Sequence, residues 1–267
     1  FNNNDDSAYT NSGGVFGHGL KTGVFLSKTC EFTSMRDGKF ITYSFKDGEL
    51  SDTKKGSSRK HGTYSKFMID PSIIDTHEIT DKDIRTRMEE KSYLFPYIKM
   101  TLTVLDNGKE VKTYKYSGED IEDRVKKWKP DTPIIRVTEN RPVTYLRNIT
   151  DDSLTTDKVG IDIVFAFKEA VLDGDQSDYM ISYANSIKTY VGGTHNDGLK
   201  LGIQKYFKDV AMPKLKGKDK DLQIMPSDMV AGMCAFVTVK VKNPVYQGQE
   251  KNQLSNQEVK FAVRDAV

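Results

Sequence analysis

The period at which hydrophobic and polar residues alternate changes several times along this chain, and each change marks an element. Leu20, Val24 and Phe25 recur at helical spacing behind a glycine-rich stretch, S-G-G-V-F-G-H-G-L-K from Ser12 to Lys21, so a loop opens a helix there. Two strand-like runs follow, Cys30 to Met35 and Phe40 to Phe45, joined through Asp37-Gly38, and a third runs from Tyr64 to Ile69 ahead of Asp70-Pro71. Apolar and β-branched residues between turn dipeptides predict a meander. Thr80 with Asp83 three residues on forms an N-cap pair, and Ile84 and Met88 share a face, which predicts a helix over residues 81–93. A hairpin from Ile98 to Tyr116 turns at Asn107-Gly108.

The stretch Ser117 to Pro133 is charged and carries Trp128, Pro130 and Pro133, so a domain boundary is expected there, giving domains at 1–130 and 131–267. Beyond it, Ile161 to Phe167 and Tyr179 to Tyr183 read as strands, and V-G-G-T-H-N-D-G from Val191 to Gly198 reads as a tight turn into a helix. Leu199, Ile203 and Phe207 share one face of that helix, with Thr194 as its expected cap and Asp197 three residues on. A lysine-rich loop, Lys214 to Lys220, precedes a last strand from Ala235 to Val241. Strand, strand, helix, strand predicts a sheet with a helix packed on one face.

Composition narrows the class. With 37% hydrophobic and 29% charged residues among 267, the chain can bury real cores, and two domains fit its length. That balance excludes a membrane protein and lies above the range of disordered chains. Net charge is only +2, so contact with nucleic acid would come from local patches. The clusters Lys54 to Lys60 and Lys214 to Lys220 read first as solvated loops, because stacking aromatics are missing from both. The two cysteines and four histidines show neither disulfide nor zinc spacing. The first residues, F-N-N-N-D-D-S, lack the regions of a signal peptide, so an intracellular, cytoplasmic protein is expected. The chain starts on Phe1 rather than Met and ends on V-K-F-A-V-R-D-A-V without a closing signal, and both ends read as cut.

The candidate chemistry begins with Gly13, Gly14, Gly17 and Gly19. Glycines crowded before a helix let the backbone approach an anion, and the free N–H groups and dipole of the helix favour a phosphate. Spacing alone slightly favours a flexible turn into a helix, and the loop lacks the G-K-[ST] ending of a P-loop and no strand precedes it.

Three stretches carry a resemblance. Y-T-N-S-G-G-V-F-G-H-G-L-K-T-G-V-F-L-S from Tyr9 to Ser27 resembles the ATP lid of gyrase and topoisomerase IV B subunits, type IIA topoisomerases of the GHKL ATPase superfamily. H-G-T-Y-S-K-F-M-I-D-P from His61 to Pro71 is similar to the G-T-x-x-x-F strand of the same domain. Y-A-N-S-I-K-T-Y-V-G-G-T-H-N-D-G-L-K from Tyr183 to Lys200, with P-V-Y-Q-G-Q-E-K-N-Q-L-S-N from Pro244 to Asn256, resembles the transducer domain of these proteins. Phe16, His18 and Glu250 stand where family members usually carry other residues.

The resemblance implies an α+β chain of two domains, the later part of a GHKL (Bergerat) α/β sandwich followed by a transducer of β-α-β crossover type. It implies that the backbone amides of Gly14, Val15, Phe16, Gly17, His18 and Gly19 wrap the triphosphate of ATP, that Tyr9 meets the adenine, and that the Thr63 hydroxyl contacts the nucleotide. Gln249 and Lys251 take the positions that reach the γ-phosphate, where a lysine acts as a point charge. His195 is expected to be structural.

The family's general-base Glu, its Mg2+-binding Asn and its D-x-G-x-G strand precede the lid, and none is found among these residues, so metal ligands are expected outside the chain and the chain alone is expected to be inactive. Implied partners are DNA, the topoisomerase A subunit and a second copy joined through the ATPase region, with no membrane, for a cytoplasmic bacterial or viral enzyme acting on DNA. A non-catalytic, transducer-like module that binds DNA or a topoisomerase without hydrolysing ATP is the alternative.

Overall fold

Turn chemistry sets the first sheet. The computed structural model describes residues 18–74, 80–146, 154–168, 179–217, 219 and 223–267. Helix α1 (His18–Phe25) leads into strands β1 (Ser27–Arg36), β2 (Lys39–Lys46), β3 (Glu49–Ser57) and β4 (Gly62–Ile69). Asp37-Gly38 and Asp47-Gly48 connect the first three through two-residue turns, with φ of 54° and 75° in one and 50° and 83° in the other. Both central residues of such a turn need positive φ, which Asp tolerates and Gly adopts freely. β4 then returns beside β1, so the order is β3-β2-β1-β4, all antiparallel. Phe32 meets Phe45 and Phe67 edge to face at 6.1 and 5.2 Å and fixes the apolar side of this sheet.

The chain divides into two compact units, Gly14–Asp83 and a larger one whose described part lies within Ile84–Val267. Helix α2 (Asp81–Leu94) begins at the division. Its cap is the expected one: the Asp83 carboxylate accepts from the Thr80 hydroxyl at 2.6 Å and from the Thr80 amide at 3.1 Å. The hairpin β5 (Met100–Asp106) and β6 (Lys109–Tyr116) turns at Asn107-Gly108 as expected, with φ of 47° and 75°. The charged stretch that follows, where the sequence predicts a boundary, holds a short helix, α3 (Ile121–Lys126). Asp120 and Asp123 cap it reciprocally, and Arg136 ties the Asp120 carboxylate to Asp162 on the sheet.

The large sheet is built from β7 (Ile135–Leu146), β8 (Leu154–Phe167), β9 (Met180–Ala184), β10 (Ile187–Lys188) and, later in the chain, β12 (Met233–Lys240), in the order β10-β9-β12-β8-β7. Between β10 and β12 lie β11 (Gly192–Gly193) and helix α4 (Thr194–Tyr206), which runs into a π-helical turn at Phe207–Ala211. β12 is parallel to β9 and antiparallel to β8, so β9, α4 and β12 form a β-α-β crossover. Strand β13 (Gln253–Leu254) and helix α5 (Gln257–Ala266) complete the unit.

Both faces of this sheet are covered, where a helix on one face was expected. Val237, Val239, Ile161 and Ile163 pack against Leu199 and Ile203 of α4 and Val259 and Val263 of α5. Phe236, Cys234 and Val164 pack on the opposite side against Tyr93, Val125 and Trp128. Such burial on two sides explains the nearly continuous apolar run of β12. No helix among the described residues is long and apolar enough to cross a membrane.

Candidate functional site

Where β12 ends, the chain leaves the sheet as a loop that carries Gln249 and Lys251, and polar side chains hold that loop at several points. Asn185, in the turn between β9 and β10, grips its start: its Oδ1 accepts from the Val241 amide at 2.7 Å and its Nδ2 donates to the Val241 carbonyl at 2.6 Å. The Tyr246 hydroxyl donates to the Ala184 carbonyl at 2.9 Å. Asn256 holds the middle, accepting from the Val245 amide at 2.7 Å and donating to the Asn243 carbonyl at 3.1 Å. That side chain is thereby taken from the helix it precedes, and α5 starts without a side-chain cap. The loop closes on itself as Gln247 donates its amide to the Gln253 carbonyl at 2.9 Å and Ser255 donates to Val245 at 2.8 Å.

Gln249 and Glu250 project from the exposed part of this loop, and Lys251 is partly buried. Lys251 has a φ of 56°, and its ammonium lies 6.0 Å from the centroid of the Tyr246 ring. A non-glycine residue in the left-handed region persists only where its surroundings fix it, as the bonds above do. The Glu250 carboxylate accepts from Asn252 Nδ2 at 2.5 Å, so the acid between Gln249 and Lys251 is held by a neutral donor. The arrangement presents one cation and one amide from a fixed backbone, which suits recognition of an anion.

The returning end of the loop is fixed by glycine. Gly192 and Gly193 pair in parallel with Gln253 and Leu254, and a Cβ on Gly193 would stand 2.3 Å from the Leu254 carbonyl oxygen. Only glycine permits that approach at a φ of 137°. Gly193 is also the residue that precedes α4, which corrects the expected capping by Thr194: that residue is already inside the helix, and no side chain caps it.

A buried polar cluster lies beside this turn. His195 is fully buried, its Nε2 3.1 Å from Thr189 Oγ1. Thr189 Oγ1 in turn meets Ser182 Oγ at 2.7 Å, to which Asn196 Nδ2 donates at 3.2 Å. Burial depresses the imidazole pKa to about 3, so His195 is neutral at physiological pH and fits a structural role.

Thr63 lies at the start of β4, exposed and opposite Ser34 of β1. His18 and Gly19 open α1, and a Cβ on Gly19 would meet nothing within 4 Å. Tyr9, Gly14, Val15, Phe16 and Gly17 lie outside the described residues. Of the positions expected at the site, Gln249 and Lys251 come together on one loop in the larger unit, and Thr63 and Gly19 belong to the Gly14–Asp83 unit. Asn185, Tyr246 and Asn256 do not stand out in the sequence. Asn185-Ser186 between apolar runs is a turn signal, but the reach of the Asn185 side chain across the sheet to Val241 has no local signature. Among the described residues no group of three or more His, Cys, Asp and Glu side chains could hold a metal ion.

Comparison with known proteins finds relatives across nearly the whole chain. The DNA gyrase B family profile matches residues 115–267. The chain is 31% identical to the B subunit of DNA gyrase from Thermotoga maritima, over 97% of this chain and 40% of that protein. It is 31% identical to the chloroplastic/mitochondrial gyrase B protein of Oryza sativa subsp. japonica, over 98% of this chain and 35% of that protein. It is 29% identical to the B subunit of DNA topoisomerase 4 from Staphylococcus epidermidis, over 97% of this chain and 38% of that protein. The chain thus spans well under half the length of these curated relatives. Among solved structures, the topoisomerase IV ATP-binding domain of Francisella tularensis superposes with a TM-score of 0.68 at 25% identity, over 96% of this chain and 66% of that one. The ATPase region of Saccharomyces cerevisiae topoisomerase II shares the fold, with a TM-score of 0.60 at 20% identity, over 98% of this chain and 61% of that one.

Proposed function

The chain belongs to the DNA gyrase B family, with the fold of the later part of a GHKL sandwich followed by a transducer, and from that premise we propose that it is the lid and transducer region of a type IIA topoisomerase of the gyrase B type. In this reading domains 1–130 and 131–267 respectively hold nucleotide and couple ATP binding and hydrolysis to clamp closure and DNA strand passage. The observation that carries it is the loop of Gln249 and Lys251, a glutamine and a lysine at the family's spacing on a backbone gripped by Asn185, Tyr246 and Asn256.

Bound ATP would supply a γ-phosphate whose charge and equatorial oxygens need neutralising during transfer. Lys251 offers a point charge for it and Gln249 a neutral donor. By the resemblance, the backbone amides from Gly14 to Gly19 would wrap the phosphates, Tyr9 would contact the adenine and the Thr63 hydroxyl would contact the nucleotide. Loss of the γ-phosphate would remove the anion that Lys251 and Gln249 report, while the loop itself stays held by the protein, a switch set by charge. Mg2+ ligands and the general base are expected outside these residues. DNA, a topoisomerase A subunit and a second copy of the gyrase B-type protein are the proposed partners.

The experiment compares magnesium-dependent phosphate release by the chain alone and by a fusion to the preceding part of a relative's ATPase domain. The chain alone is expected to show none above background, because aligning water and metal is most of phosphoryl-transfer catalysis. The fusion is expected to turn over. Hydrolysis by the chain alone at a rate that Lys251→Ala abolishes would overturn the placement of the base outside it.

A further inference from the structure

Helix α2 reaches the β9–β10 hairpin through shielded charge. The Glu90 carboxylate accepts from the Tyr183 hydroxyl at 3.0 Å and from the Lys188 ammonium. The next residue, Lys91, donates to the Ser186 carbonyl and lies 5.3 Å from the Tyr183 ring centroid. The side chains of Lys188 and Glu90 keep 23% and 20% exposure, so removing one partner leaves the other poorly solvated. Tyr183 cannot swing to follow, since its ring stacks on Phe236 with centroids 5.6 Å apart.

The opposite side of the same hairpin holds the loop of Gln249 and Lys251. Asn185 takes both backbone groups of Val241, and the Ala184 carbonyl takes the Tyr246 hydroxyl. Asn185 and Ser186 both sit in the left-handed region, at φ of 47° and 63°. The turn is bonded on both sides, Ser186 to Lys91 and Asn185 to Val241, so a displacement at Ser186 or Lys188 falls next to the residue that grips the loop. The contacts run from Glu90 to Tyr183 and Lys188 and from the adjoining Lys91 to Ser186 on one side of the hairpin, and from Asn185 to Val241 and Ala184 to Tyr246 on the other. α2 itself starts at Asp81, where the chain leaves the Gly14–Asp83 unit that carries Thr63.

We propose that Glu90 is a positioning residue for the loop of Gln249 and Lys251, and that α2 and this loop are coupled through the turn at Asn185-Ser186. The consequence for ATP turnover rests on the phosphate-sensing reading above, whereas the positioning belongs to the chain without nucleotide.

Amide hydrogen exchange on the 267-residue chain reads the positioning directly, because the amides of Val241, Val245 and Gln247 are bonded within the gripped loop. Glu90→Ala is expected to speed their exchange by about tenfold or more, with Ile163 and Val237 in the sheet unchanged. Glu90→Gln, which keeps an acceptor for Tyr183 and loses the charge, should fall between. The exchanged pair Glu90→Lys with Lys188→Glu should return toward wild type, which a merely space-filling role would not produce. Unchanged loop amides in Glu90→Ala, or equal acceleration at Ile163 and Val237, would overturn the proposal. In an ATPase completed by fusion, Glu90→Ala should lower kcat with little change in KM for ATP. A loosened loop with unchanged turnover would keep the positioning and sink the phosphate-sensing reading instead.

Discussion

His195 shows how much a single buried group can set. The unfolded chain takes up its proton near pH 6.5, whereas the folded chain holds the imidazole neutral down to about pH 3 because burial excludes the charged form. Its folded pKa is depressed, and for a base this means that the unfolded state binds more protons between those two values. The contribution to stability is therefore complete above pH 6.5 and is lost as pH falls toward 3, at a slope of about 1.4 kcal/mol per unit. Urea denaturation at pH 7 and pH 5 should show about 2 kcal/mol more acid loss in the wild type than in His195→Gln, which keeps a partner for Thr189 but cannot titrate. Equal losses in the two proteins would mean that His195 is reached by water. The imidazole was legible in the sequence as structural, since it follows a glycine turn and lacks ligand spacing. Its neighbours Ser182 and Thr189 were not, because they come from β9 and from the residue after β10, and burial of a hydroxyl has no sequence signature.

At the scale of elements, α4 and α5 meet through glycine. A Cβ at Gly198 would stand 2.5 Å from the Lys260 carbonyl oxygen and 2.8 Å from Val263 Cβ, and one at Gly202 would stand 2.9 Å from the Arg264 carbonyl oxygen. Alanine would gain about 1 kcal/mol in helix propensity at either position, but overpacking against backbone costs about 1 to 3 kcal/mol because the neighbour cannot rotate away. With backbone only 2.5 Å away the clash outweighs the gain at Gly198, and Gly198→Ala should lower unfolding free energy by up to about 2 kcal/mol in urea titration; a stabilised variant would show that α5 can move off α4. Elements with strong local chemistry were readable: α2 from Thr80 and Asp83, and the hairpin from Asn107-Gly108. Those without it were not. β3 is exposed at every residue and shows no alternation, so only its pairing with β2 makes it a strand. α3 carried its signal, a capping pair at Asp120 and Asp123 with Ile121 and Val125 one turn apart, but its charge hid it. β7 carries Pro142, which a strand tolerates at an edge, and β7 is the edge of its sheet.

Across the whole molecule, the resemblance of three separated motifs pointed to the family that the gyrase B match over residues 115–267 shows. Geometry adds what spacing could not: a loop whose Gln249 and Lys251 sit on backbone gripped from β9, from the start of α5 and from its own returning strand. Such a loop presents its charge with little entropy left to lose on meeting a phosphate. The most direct measurement is ATP turnover by an ATPase completed by fusion, with Lys251 intact and as Lys251→Ala, beside binding of a non-hydrolysable analogue. A charge-assisted contact to phosphate is worth about 1.5 to 3 kcal/mol, so turnover should fall by about tens to hundreds of fold, with Lys251→Arg recovering part of it. Turnover and analogue binding both unchanged in Lys251→Ala would contradict the assignment of this loop to the γ-phosphate.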